Sequence, residues 1–147
     1  MEKNVTSRFL LALTLLTAAG PLGFAGNPAA DQSGPPISAV KGEVLVTTRL
    51  DVDFAGFKVT FIELGADRCV PCKKMQPIMK EIAASYAGRV QVVFYDVWKD
   101  AEPARKYRIQ LIPTQVFVDQ KGNEIFRHVG FFAKEDIVEF LKKLGVS

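Results

Sequence analysis

The sequence predicts an α/β fold with a mixed central β-sheet flanked by helices, and three observations predict it. Strand-like and helix-like segments follow one another in the order strand, helix, strand, helix, hairpin, helix, which is an α/β layout. Two of the strands, "KVTFIEL" (Lys58–Leu64) and "RVQVVFYDV" (Arg89–Val97), are apolar at most positions, as strands inside a sheet covered on both faces are. The last two, "TQVFVD" and "EIFRHVG", flank the turn "QKGN" (Gln120–Asn123), the mark of a β-hairpin.

With 147 residues, 48% of them hydrophobic and 24% charged, the chain suits one globular domain. Its first 25 residues differ from the rest. Lys3 and Arg8 precede the apolar run "FLLALTLLTAA" (Phe9–Ala19), and a Gly20-Pro21 break leads to small residues around Ala25. That is the layout of a secretory signal peptide. The apolar run has 11 residues, against about 20 for a membrane span, so residues 1–25 are expected to be cleaved rather than to anchor the chain. Export of this kind points to the periplasm, where cysteine pairs can oxidise. "GNPAADQSGPP" (Gly26–Pro36) lacks periodicity and places a flexible linker over residues 26–40. The folded domain is then 41–147. A formal charge of +3 gives no support for nucleic-acid binding.

Within the domain, "EVLVTT" (Glu43–Thr48) reads as a short β-branched strand. From Val70 to Tyr86, apolar residues at Met75, Ile78, Met79, Ile82, Ala83 and Tyr86 recur at the spacing of an amphipathic helix, which Pro77 is expected to kink. Ala101–Tyr107 reads as a short helix. Lys134–Leu144 places Ile137, Val138, Phe140, Leu141 and Leu144 on one face, with Gly145 as the stop.

The two cysteines of the chain, Cys69 and Cys72, lie where a buried strand hands over to a helix. Unpaired N–H groups and the positive helix end favour a thiolate there, and such sites lower a cysteine pKa from about 8.5 to between about 3.5 and 7.5. Cys69 is expected to be the nucleophile. Cys72, one turn inside, is placed to resolve a mixed disulfide. As a staple the pair would close a loop of about four residues for roughly 2 kcal/mol. A zinc site needs four ligands, and His128 is the one further soft ligand in view. A two-cysteine Cu(I) carrier stays open as a rival from another class.

From about Lys58 to Leu144 the chain resembles thioredoxins, and more narrowly the exported thioredoxin-like proteins of bacteria. The resemblance rests on "VTFIEL", on Cys69-Val70-Pro71-Cys72-Lys73, on Pro77, on Ile112-Pro113-Thr114 and on Gly130. It implies a thioredoxin-like fold whose N-terminal part is truncated, since Leu50–Phe57 is too short for a full first helix. It implies a cis Ile112–Pro113 bond beside the cysteines, with Ile112 offering its backbone to an extended substrate. Glu63, six residues before Cys69, falls where the family carries a buried acid, which would take the proton of Cys72. The lysine that often accompanies that acid falls at Phe94.

Val70, Pro71, Ile112, Pro113, Gly130 and Phe131 are expected to line the substrate groove, with Phe131 and Phe132 either both bordering it or both packed under the last helix. Arg68 is expected to favour the Cys69 thiolate and Asp67 to oppose it. Trp98 and His128 read as ordinary packing or surface residues. The activity implied is that of a periplasmic thiol–disulfide oxidoreductase acting as a reductant, with no cofactor beyond the Cys69–Cys72 pair and no metal. A disulfide oxidase or isomerase is the alternative in the same class. The implied partners are secreted proteins with disulfides, apocytochrome c among them, and a membrane-embedded thiol relay as electron donor, with the protein itself a monomer.

Overall fold

The computed structural model describes residues 34–147. In chain order they form β1 (Val44–Val46), β2 (Val59–Gly65), α1 (Val70–Ser85), β3 (Val90–Asp96), α2 (Glu102–Lys106), β4 (Thr114–Val118), β5 (Glu124–Val129) and α3 (Lys134–Lys143). The expected elements are all present, with ends shifted by a residue or two. The expected signal peptide, and the linker as far as residue 33, lie outside the described residues.

The five strands make one sheet in the order β1-β3-β2-β4-β5. β1 and β2 run parallel to β3, and β4 runs antiparallel to both β2 and β5, so the sheet is mixed. β2 lies in the middle and is buried along its whole length, which is why its sequence is apolar on both faces. Alternation still decides which side chain meets which layer. Val59 and Phe61 join Val90, Val92 and Phe117 against α1 and α3, while Ile62, Leu64, Val93, Tyr95, Val116 and Val118 face the opposite side.

On the first face Phe61 stacks on Phe117 with ring centroids 4.8 Å apart. Each such buried ring stabilises the fold by about 1.5–3 kcal/mol. α1 covers them with Met75, Met79, Ile82 and Ala83. Pro71 sits in the first turn of α1, where its missing N–H costs nothing. The helix continues through Pro77, although proline cannot donate to the Lys73 carbonyl.

The second face is covered by α2 and by an irregular segment that replaces a first helix. Tyr95 donates its hydroxyl to the Arg49 carbonyl at 2.8 Å, Lys106 reaches the Leu50 carbonyl at 2.6 Å, and Gln91 donates to the Asp53 carbonyl at 2.9 Å. These side chains satisfy backbone groups that a helix would have paired internally. The fully buried Gln91 also accepts the Ala39 N–H at 2.7 Å, and Ile37 bridges to Val52. The end of the expected linker is therefore corrected: residues 37–39 are tied into the domain. The physical reason is a glutamine 52 positions away, which no local composition reveals.

Candidate active site

β2 delivers the chain to the cysteines at the C-terminal end of the sheet's centre. After Gly65 and the buried Ala66, the backbone turns so that Cys69 N–H donates to the Ala66 carbonyl at 3.2 Å. Cys69 then caps α1 from an extended conformation, φ −79° and ψ 121°. Its sulfur accepts the N–H of Cys72 at 3.4 Å, and its carbonyl accepts the N–H of Lys73 at 3.0 Å. No acidic residue occupies the first turn, so nothing on the helix itself offsets its positive end. Cys69 and Cys72 are disulfide-bonded with Cα atoms 5.2 Å apart. Cys69 is 9% exposed and Cys72 1%, the asymmetry that separates an attacking sulfur from a shielded one.

Gly65 makes room for the second sulfur. A Cβ there would lie 3.2 Å from Cys72 Cβ, 3.3 Å from its Sγ and 3.3 Å from the Phe94 ring. Two positions back on the same face of β2 stands Glu63, fully buried and, by the rise of a strand, roughly 6.6 Å from Gly65. Desolvation pushes its carboxyl up to about 8, against a weaker downward pull from Gln115. Gln115 is the directly opposed residue on β4 and donates its amide to Glu63 Oε2 at 2.9 Å. Oε1 of Glu63 and Oε1 of Gln115 are both buried without a hydrogen-bond partner. A proton on the carboxyl gives this pair the donor it lacks, so geometry and burial favour the same neutral form. Phe94 is the β3 neighbour of Glu63, so the acid has an amide beside it on β4 and a ring on β3.

The Ile112–Pro113 bond is cis, as expected. Ile112 packs against Ala66, Cys69 and Cys72. Among the described residues its backbone N–H and C=O have no hydrogen-bond partner, which leaves both free for an extended chain alongside. Gly130 donates its N–H to the Pro113 carbonyl at 2.8 Å. Its φ of +98° favours glycine on backbone grounds alone, since a Cβ there would meet nothing within 4 Å.

The two phenylalanines after Gly130 divide between the alternatives. Phe131 is 46% exposed, whereas Phe132 is buried, where it meets Phe117 edge-on and takes the His128 ring in a stack. The expectation that they share one fate is corrected: alternation after β5 turns one inward and one outward. His128 also places Nε2 3.1 Å from the Phe131 carbonyl.

Asp67 does not stand as an uncompensated negative charge beside Cys69. It is ion-paired with Lys99, which also lies 3.3 Å from Asp96. Burial works against the charge of Asp96, but the N–H groups of Asp67 and Trp98, together with Lys99, outweigh it and hold the carboxyl below its ordinary range. Arg68 is exposed beside them.

Sequence reasoning did not find Gln115, Gly65 or Lys99. A polar residue inside the apolar run "TQVFV" was the one local sign of the first. Of the eight large hydrophobic side chains left exposed among the described residues, Val46, Val70, Trp98, Leu111, Val129 and Phe131 all lie at this end of the sheet.

The thioredoxin family model matches residues 46–143. A thioredoxin of Staphylococcus aureus is 35% identical over 85 residues, covering 58% of this chain and 81% of that protein. Among solved structures, a Malassezia sympodialis thioredoxin is 26% identical with a TM-score of 0.60, covering 71% of this chain and 93% of its own. A thioredoxin variant from Halobacterium salinarum reaches a TM-score of 0.64 at 22% identity, covering 74% and 96%, a likeness of fold. With the family model spanning most of the folded chain and the cysteine pair capping its helix beside a cis proline, the protein belongs to the thioredoxin family and is a thiol–disulfide oxidoreductase.

Proposed function

We propose that the protein is exported to the periplasm and reduces disulfides of secreted polypeptides. In the reduced state the Cys69 thiolate attacks one sulfur of a substrate disulfide, forming a Cys69–substrate bond and releasing the other substrate sulfur as a thiolate. Glu63, in its ionised form, accepts the Cys72 proton. The Cys72 thiolate then attacks Cys69 Sγ, the enzyme disulfide forms, and the second substrate thiolate leaves. Two electrons have passed to the substrate. A membrane-embedded thiol relay restores the dithiol, since no soluble thiol pool serves that compartment, and apocytochrome c is one fitting substrate.

The observation that carries the reading is Ile112, which packs against the cysteines and whose backbone N–H and C=O are unpaired among the described residues. It offers an extended substrate segment a strand to pair with. Val70, Pro71, Pro113, Gly130 and Phe131 surround that path. The direction rests on Pro71 and Ile112, which look like those of reducing thioredoxins.

Equilibration with glutathione tests the direction. A reductant places the Cys69–Cys72 couple near about −270 mV, and an oxidase near about −120 mV. A value at the upper end would replace the reductant reading by the oxidase one.

A further inference from the structure

Beside the nucleophile, Asp67, Arg68, Asp96, Trp98 and Lys99 line a cleft of about 360 Å³. Its charges are not equivalent. Asp67 and Lys99 answer each other, and Asp96 is enclosed by the N–H groups of Asp67, Trp98 and Lys99 at 3.1–3.3 Å. Arg68 has no ion pair or hydrogen bond among the described residues. Lys99 is shared between Asp67 and Asp96, so the cleft is neutral overall, and Arg68 is its one cation without a partner among the described residues.

Trp98 is 63% exposed, and its indole N–H finds no acceptor among the described residues. The turn that presents it is fixed, because Asp96 accepts its backbone N–H and Lys99 ties Asp96 to the loop before Cys69. A guanidinium and an indole thus share one cleft, the first of them adjacent in sequence to Cys69. Together they offer a cation, a ring N–H donor and an apolar face. A glutamate or aspartate side chain uses all three, its carboxylate meeting Arg68 and the indole N–H and its methylenes lying on the ring.

We propose that this cleft selects substrates with an acidic residue next to the target disulfide, and that Arg68 and Trp98 are its specificity-determining residues. The inference rests on the reductant reading above and adds a substrate class to it. Trp98, an ordinary surface residue by sequence, becomes part of the substrate surface. The selectivity is modest, because an exposed ion pair is worth little in water.

The test measures kcat/KM for three disulfide peptides that differ only at the residue beside the target cysteine: glutamate, glutamine or lysine. In the unaltered protein at low salt the glutamate peptide is expected to exceed the lysine peptide by roughly fivefold, and the gap is expected to close at about 0.5 M salt. R68E should reverse the order, R68K should keep it, and W98A should narrow the gap. An effect of residue 68 on the Cys69 thiolate scales all three peptides together, so the ratios report the cleft alone. Equal rates for the three peptides, or an unchanged order in R68E, would overturn the cleft while the reductase reading stands. Failure to reduce any of them would overturn both.

Discussion

Cys69→Ser is expected to lower turnover of a protein disulfide by about three orders of magnitude or more, while Cys72→Ala is expected to halt the reaction half-way with substrate covalently attached. Both follow from the asymmetry of the pair. Cys69 is the more exposed residue of the pair, and its sulfur accepts the Cys72 N–H at the tip of α1. Serine there has no accessible anion at neutral pH, and Cys72, at 1% exposure, cannot reach an incoming polypeptide in its place. Removing Cys72 leaves attack intact and takes away the group that releases the adduct. The adduct is read as an added mass that a small dithiol removes, and its identity in cells names the substrate. A Cys69→Ser protein that still turned over, or a Cys72→Ala protein that accumulated nothing, would assign the roles the other way round.

The second large effect belongs to Glu63. Burial pushes its carboxyl up to about 8 in the folded protein, from 4.5 in an unfolded chain. Between those values the unfolded state has lost its proton and the folded state has kept it. Stability is therefore full below about pH 4, falls as pH rises, and levels off above about 8. At pH 7 the loss is about 3 kcal/mol by linkage.

Glu63→Gln is neutral at every pH and supplies a second amide to Gln115, whose Oε1 lacks a donor. The variant is expected to be more stable than the parent by about 3 kcal/mol at pH 7 and equal to it at pH 4, seen as a shift in denaturant midpoint with an unchanged slope. The same substitution is expected to slow resolution of the mixed disulfide by roughly 10²-fold and to abolish the rise in rate through about pH 8. A protein made more stable and less active by one atom exchange is the signature of an acid held for chemistry. Equal stability at pH 7 would mean that the carboxyl is already ionised there.

The resemblance and the apolar patterns made the element order, the cysteine cap, the buried acid and the cis proline legible, because each depends on residues close together in the chain. β2 could be read from "VTFIEL", and α1 from the spacing of Met75, Met79 and Ile82. What escaped depends on register between distant segments. Gln115 meets Glu63 across 52 positions through the pairing of β2 with β4. Gln91 gathers residues 39, 53 and 60 into one polar cluster, and so converts part of an expected linker into the cover of the sheet. Lys99 reaches Asp67 from the far end of β3. In each case one polar residue in an otherwise ordinary stretch acquires its meaning from a partner the sequence does not place beside it.

The central claim is that the sulfur capping α1 is poised as an anion by the helix end beneath it. Titrating the reduced protein with a thiolate-selective alkylating reagent across pH tests this most directly. The account predicts that Cys69 reacts first, with an apparent pKa below about 7.5. A single titration near about 8.5, with Cys69 alkylated no faster than a cysteine in a free peptide, would contradict it.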